Sequence, residues 1–262
     1  MCVNLVDYFW IIITMLGDEK FYVALIPFIY LAISMDLGIE LALVFLAGMW
    51  LNGFLKYSLK LPRPPKEYWK ISAKGYGFPS GHVQATTIFW GFFTLKKKRL
   101  GLALFSTILI TLVGYSRVYL GVHYLHDVLG GAFFGLLTLL SYMFLKQRIR
   151  LSWNQKIYTG ILASSAMYTL SFLTENIYDP TPPTLLGMSI GYLLTTREAI
   201  KLPGKTTKRI LWGLCGILVS FGIYLLSHWV PDVISFILCY VLLGLAISYI
   251  IPKILSKISK VT

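Results

Sequence analysis

Acidic residues are scarce in this chain. Eleven Asp and Glu face 24 Lys and Arg over 262 residues, and charged residues of both signs make up only 13%. A soluble domain carries about a quarter charged residues, so an ordinary soluble fold is excluded. Cysteine is rare as well. Cys2, Cys215 and Cys239 are far apart, which leaves neither a disulfide framework nor a metal-ligand spacing, and they read as small buried hydrophobes. No arrangement of His with carboxylates suggests a metal site, so no divalent ion and no cofactor is expected. No Lys or Arg precedes Lys20, so the charged start of a secretory signal peptide is not expected. The net charge of +13 would suit a nucleic acid. Most of the basic residues, however, sit in short loops between apolar runs, which is a membrane-topology signal, and no nucleic-acid partner is expected.

What fills the chain instead is apolar. Hydrophobic residues make up 56% and mean hydropathy is +0.70. Apolar runs cover about 21–35, 40–55, 82–95, 100–116, 124–145, 157–174, 184–196, 210–228 and 233–252. Several fall short of the ~20 residues a span needs and must extend into their flanks. The expected fold is all-α, a polytopic transmembrane helical bundle of about nine spans. Residues 3–17 contain Asp7 and read either as a helix lying in the interface or as a tenth span. The basic stretch 146–156 divides a motif-bearing part, 1–150, from a motif-poor helical extension, 151–262. Gly131 with Gly135, and Gly187 with Gly191, have the spacing of close helix–helix contacts.

Orientation follows from counting. With nine alternating spans, one side receives sixteen basic residues, in segments 96–99, 146–156, 197–209 and 253–260. The other receives eight (Lys20, Lys56, Lys60, Arg63, Lys66, Lys70, Lys74 and Arg117), together with the acidic loop 175–183. The positive-inside rule makes the first side cytoplasmic, with the C-terminus on it.

Three dense polar blocks then fall on the extracytoplasmic side: Lys56 to Pro64 (KYSLKLPRP), Pro79 to His82 (PSGH) and Ser116 to Asp127 (SRVYLGVHYLHD). Ionisable groups near a membrane are costly and usually functional. Phosphoryl transfer needs cations on the phosphoryl oxygens, an in-line nucleophile and a proton for the leaving oxygen. Lys56 ends the second span, and Arg63 follows it in a proline-stiffened loop that offers a planar fork to phosphate. Lys60, Lys66, Lys70 and Lys74 read as headgroup anchors. Gly81 lets backbone approach an anion at a helix N-terminus, Ser80 can donate to the same anion, and His82 is the natural proton donor. Arg117 closes the fourth span. His123 and Asp127 stand four apart on one helix face, so the carboxylate can hold one ring nitrogen and leave the other for phosphorus. His123 is the expected nucleophile and Asp127 its orienter. His126 lies on another face and receives no role, and His228 reads as interfacial.

The pattern K-x6-RP, PSGH, SR-x5-H-x3-D resembles the signature of the type-2 phosphatidate phosphatase superfamily, over roughly residues 20–150. That superfamily includes lipid phosphate phosphatases, polyprenyl diphosphate phosphatases, glucose-6-phosphatase and soluble vanadium haloperoxidases. The resemblance implies a helical-bundle core, a phosphohistidine intermediate and no metal requirement. By motif position it implies that Lys56, Arg63, Ser80, Gly81 and Arg117 hold phosphate, with His82 as acid, His123 as nucleophile and Asp127 as its support. The nine-span layout is similar to that of glucose-6-phosphatase. The expected activity is release of phosphate from a lipid phosphate or polyprenyl diphosphate lying in the bilayer. Alternatives are a phosphatase for a soluble sugar phosphate such as glucose 6-phosphate, and a catalytically silent lipid-binding or transport protein.

Overall fold

The computed structural model describes residues 4–149 and 153–261, so Cys2 and Arg150 lie outside the described residues. Within them the fold is all-α. The helices are α1 (Leu5–Met15), α2 (Glu19–Phe28), α3 (Met35–Leu59), α4 (Gly81–Lys97), α5 (Leu100–Tyr119), α6 (Leu125–Arg148), α7 (Trp153–Leu173), α8 (Thr181–Arg197), α9 (Thr206–Ser227), α10 (Val233–Leu245) and α11 (Ile251–Val261). A π-helical turn, Ile29–Ile33, prolongs α2, and another, Ala246–Ile250, joins α10 to α11. Helices cover most of each apolar run, although the run 21–35 is broken by the extended residue Ser34. Among the described residues, five stretches are long and apolar enough to cross a membrane: Met35–Leu59, Leu100–Tyr119, Leu125–Arg148, Thr206–Ser227 and Val233–Ile258.

The described residues form two compact units, 4–21 with 48–149, and 22–47 with 153–261. Residues 22–47 therefore cluster with the C-terminal helices and not with the polar blocks. In that second unit the π turn after α2 packs on α9, where Gly213 and Gly216 leave room for Phe28 and Leu31. Close approach also joins α8 to α10. Gly187 lies against the backbone of Val241, and Gly244 against that of Thr184 and Met188.

The first unit is built around α4, whose Val83, Ile88, Phe89 and Phe92 are fully buried. Helices α5 and α6 pack against it. The α6 contact runs over Gly131 and Gly135, each facing α4 backbone or Thr87, which is the close helix contact their spacing predicts. A two-residue link connects α4 to α5. Lys98 ends α4 in the left-handed conformation (φ 49°), and the Thr94 and Ser106 hydroxyls meet at 2.8 Å across the turn. Helix α1 begins with a reciprocal cap. The Asn4 side chain accepts from the Asp7 amide, and the Asp7 carboxylate accepts from the Asn4 amide, satisfying two otherwise orphaned donors. Along its length α1 lies on α5, with the Trp10 ring 4.7 Å from Tyr115 and 5.8 Å from Tyr119.

Between α3 and α4 the chain has little regular structure. Pro62, Pro64 and Pro65 cannot continue a helix, and the loop folds over the turn that joins α5 to α6. The Lys70 amide donates to Leu120 O at 3.0 Å. Gly121 sits beneath Tyr68 O with φ +73°, and any Cβ there would collide with that carbonyl. This junction needs glycine on both counts.

Candidate active site

All eight residues singled out as site candidates belong to the first unit, and four of them, Arg63, Ser80, His123 and Asp127, are joined there by hydrogen bonds. Lys56, in the last turn of α3, donates from Nζ to Tyr76 O at 3.0 Å and Gly77 O at 3.2 Å. Arg63 spends Nε on Gly75 O (3.0 Å) and Nη2 on Lys74 O (2.9 Å). Its Nη1 reaches both Val122 O and His123 Nε2, each at 2.9 Å. Burial pushes the Arg63 guanidinium below its ordinary value, with Asp127 pulling the other way.

His123 is 3% exposed and Asp127 is fully buried. His123 stands just ahead of Tyr124, the N-cap of α6, instead of on the helix itself, yet the four-residue spacing still brings the pair together. Nδ1 of the imidazole lies 3.2 Å from Asp127 Oδ2. The same oxygen accepts the Tyr124 amide at 2.9 Å, which holds the carboxylate at the first turn of α6. Asp127 also ties the second block to the third, because its main-chain oxygen accepts the Ser80 amide at 2.9 Å. A guanidinium can only donate. The contact from Arg63 therefore assigns the lone pair to His123 Nε2 and the proton to Nδ1, facing Asp127. Burial first, then the charges of Arg63, Arg117 and Lys56, push the His123 imidazole down to about 4, against the raising effect of the Asp127 hydrogen bond. The ring is neutral at neutral pH, and its Nε2 faces Arg63.

Ser80 caps the N-terminus of α4 without a side-chain cap bond, and its hydroxyl is buried without a partner. Arg117 is 5% exposed. Its Nη1 donates to Thr14 Oγ1 at 2.9 Å, while Nε is buried without a partner. His82, at the first turn of α4, faces Asp18 Oδ2 at 3.8 Å. Gly81 packs against Asn52 Oδ1. His126, which received no role, is largely exposed and stacks on Tyr124 with ring centroids 5.3 Å apart.

Several supporting residues carry no sequence signal. Asn52 Nδ2 donates to Pro79 O (3.2 Å) and to Gln84 Oε1 (2.9 Å), and Gln84 Nε2 donates to Gly48 O (2.7 Å). This buried amide pair anchors the PSGH turn to α3. Lys70, read as a headgroup anchor, places Nζ 2.7 Å from Asp7 Oδ1 and 3.9 Å from the centre of the Tyr119 ring. Tyr119 donates to the same Asp7 oxygen at 3.0 Å. Among the described residues no group of three or more His, Cys, Asp or Glu side chains is placed to hold a metal ion.

The first unit thus holds a buried imidazole that faces a carboxylate and lies among cations, in an all-helical apolar setting. Residues 37–150 match the family model of the PAP2 superfamily. Phosphatidylglycerophosphatase B of Bacillus subtilis (strain 168) is 33% identical over 48% of this chain and 68% of its own length. Human sphingosine-1-phosphate phosphatase 2 is 34% identical over 48% of this chain, a stretch that spans 35% of the human protein. A crystal structure of a transmembrane PAP2-type phosphatidylglycerolphosphate phosphatase from Bacillus subtilis superposes with a TM-score of 0.50 at 28% identity, covering 57% of this chain and 81% of that one. The chain belongs to the PAP2 superfamily, and it is an integral membrane protein.

Proposed function

We propose that this protein is a membrane phosphatase that removes phosphate from a lipid phosphate or polyprenyl diphosphate through a phosphohistidine on His123. The observation that carries this reading is the placement of His123, with Nδ1 3.2 Å from Asp127 Oδ2 and Nε2 2.9 Å from Arg63 Nη1. The unpartnered buried donors, Ser80 Oγ and Arg117 Nε, also support it. A buried donor left unsatisfied costs about 1–3 kcal/mol, and phosphoryl oxygens are acceptors of the kind these donors need. Lys56 and Arg63 add the charge that neutralises a phosphate dianion.

In the first step a phosphoryl oxygen takes over Arg63 Nη1, which releases His123 Nε2. The lone pair attacks phosphorus in line, the ester P–O bond breaks, and the leaving oxygen takes its proton from His82. Asp127 stabilises the imidazole as it becomes positive. In the second step neutral His82 takes a proton from water, the hydroxide oxygen bonds to phosphorus, the P–N bond breaks and phosphate leaves. His82 thereby regains its proton and His123 its lone pair. No divalent ion enters either step.

The relatives named for sphingosine 1-phosphate and for phosphatidylglycerophosphate support a lipid substrate, and mouse glucose-6-phosphatase 3, 31% identical over 48% of this chain and 44% of its own length, supports the sugar-phosphate alternative. The basic-residue distribution supports nine spans, an extracytoplasmic site and a cytoplasmic C-terminus. The test is phosphate release by detergent-solubilised protein with a chelator present. The panel is a polyprenyl diphosphate, a phosphatidate, a phosphatidylglycerol phosphate, sphingosine 1-phosphate and glucose 6-phosphate, with His123→Ala as control. Chelator-resistant, His123-dependent turnover of a lipid is expected. Full activity in His123→Ala, or turnover of glucose 6-phosphate alone, would overturn the reading.

A further inference from the structure

His82 faces an electrostatic problem that the three sequence blocks leave unsolved. To act as the acid it must carry a proton, and hence a positive charge, when the ester bond breaks. The charged groups that act on it from the PAP2 blocks are Arg117 of α5, His123 of the α5–α6 turn, Arg63 of the α3–α4 loop and Lys56 of α3. All are cationic or become so during the reaction. Like charges in a partly buried setting repel strongly, and none of these groups offers His82 a counter-charge. Asp127 faces His123 through Oδ2 and His126 through Oδ1, each at 3.2 Å.

One carboxylate reaches His82 from outside the three blocks. Asp18 lies in the turn after α1, with Oδ2 3.8 Å from His82 Nε2. Its orientation is built in. The other carboxylate oxygen, Oδ1, accepts the Lys20 amide at 3.0 Å, which turns Oδ2 toward the ring. The approach is close because Gly17 precedes it, where a Cβ would lie 2.9 Å from His82 Cβ and 2.9 Å from Val113 Cγ1. The segment itself is tethered to the site. Thr14 receives Arg117 at 2.9 Å, and Asp7 receives Lys70 and Tyr119 at 2.7 and 3.0 Å. His123 with Asp127 and His82 with Asp18 thus repeat one design, a histidine facing a carboxylate whose position is set by a backbone N–H.

We infer that Asp18 is a positioning residue of the reaction, which keeps the His82 imidazolium oriented and charged for donation to the leaving oxygen. This rests on His82 being the acid. Asp18 touches no reacting atom; it faces His82 at 3.8 Å and its charge also acts on Arg117, and it brings the N-terminal segment into the working site.

The experiment compares Asp18→Asn, Asp18→Glu and His82→Ala in the full chain, on two substrates of opposite demand. An alkyl lipid phosphate has a poor leaving group and needs the acid, whereas p-nitrophenyl phosphate expels a stabilised phenolate with little help. Asn retains an oxygen for the Lys20 amide, so the turn persists while the charge is lost. Asp18→Asn is expected to lower kcat on the alkyl phosphate about 10- to 100-fold, a fraction of the ~10²–10⁴ that a general acid contributes. KM should stay within about twofold, and the aryl phosphate should lose less than about threefold. The alkaline limb of kcat against pH should move down by about one unit, and Asp18→Glu should restore most of the rate. Equal losses on both substrates, or an unmoved alkaline limb, would overturn the assignment. His82→Ala reports separately. If that variant loses both substrates equally, or neither, the reading of His82 as acid fails, whatever Asp18 does.

Discussion

Alanine at Gly131 should damage the site from a position that no substrate touches. Gly131 lies on α6 where it crosses the start of α4, and a Cβ there would stand 2.5 Å from Ser80 O, 3.1 Å from Val83 Cβ and 3.3 Å from the Gln84 amide nitrogen. Two of these atoms are backbone and cannot rotate away. Ser80 O accepts the Gln84 amide, and the Ser80 amide is bonded to Asp127 O. Close carbon–oxygen contacts settle near 3.3 Å, so the helices must part by about 0.8 Å. Overpacking of this kind costs about 1–3 kcal/mol. A displacement near 1 Å at a catalytic group costs up to about 10²-fold in rate, and the displaced segment carries Ser80, Gly81 and His82. The same substitution at Gly222 of α9, where nothing lies within 4 Å, meets no obstacle and should be neutral or stabilising by up to ~1 kcal/mol. At Gly135, where a Cβ would meet Thr87 Cβ at 2.7 Å, stability should fall but kcat should change less, because the contact lies a turn farther from the PSGH segment. Phosphate release and thermal unfolding in detergent measure both quantities. If Gly131→Ala behaves like Gly222→Ala in rate and in Tm, the α4–α6 contact does not position the site and this reasoning fails.

Further outcomes follow from the same geometry. Asp127→Asn removes the charge that supports the imidazolium and can turn an NH2 toward His123 Nδ1, and kcat should fall by about 10³–10⁴ with KM little changed; a loss below tenfold would show that the carboxylate charge is not needed. Because burial lowers His123 to about 4, the free imidazole is neutral above about pH 5. The acid limb of kcat/KM, corrected for substrate ionisation, should lie near pH 4, well under the usual 6.5 of histidine, and a limb at 6.5 would contradict the buried setting. Asn52→Ala strips Gln84 Oε1 and Pro79 O of their donor, which should cost about 1–3 kcal/mol with a fall in kcat. An unchanged Tm would mean that the amide pair does not anchor the turn.

How much of this is legible in the sequence depends on what each residue has to do. Groups that meet phosphate are constrained in type, and spacing reveals which of them meet. A separation of four residues is enough to pair His123 with Asp127, and the prolines around Arg63 are enough to place it in a stiff loop. Gly131 and Gly135 announce a close contact by periodicity, although their partner, the backbone at Ser80 and Gln84, does not show. Supporting residues carry no such signature. Asn52 and Gln84 are single amides in apolar helices, and only the fold sets them 2.9 Å apart. Lys70 looks like any interfacial lysine, because its partner Asp7 lies 63 residues away. The division into units is hidden for a similar reason. Residues 22–47 read like any other spanning segments, and what assigns them to the C-terminal helices is the fit of Phe28 and Leu31 over Gly213 and Gly216.

The charge pattern follows the same logic. A sequence so poor in acid, with eleven Asp and Glu in 262 residues, invites the expectation that its cations await an anionic ligand and little else. Much of their donor capacity is instead already engaged. Lys56 is held by two carbonyls, and Arg63 by three carbonyls and a ring nitrogen. Carbonyls orient a cation without cancelling its charge, so the site keeps its attraction for a phosphate dianion while its geometry is set in advance. Full carboxylates would neutralise it. They stand only where a histidine needs one, Asp127 behind His123 and Asp18 beside His82, and in both places the distance to the ring is set by a backbone amide. Adding an acid beside the cluster, for example Lys74→Glu at an exposed position whose main-chain oxygen holds Arg63, should therefore weaken phosphate binding more than it disturbs the fold. A rise in KM with an unchanged Tm is the expected result, and an unchanged KM would show that the field of the cations is not what draws the substrate.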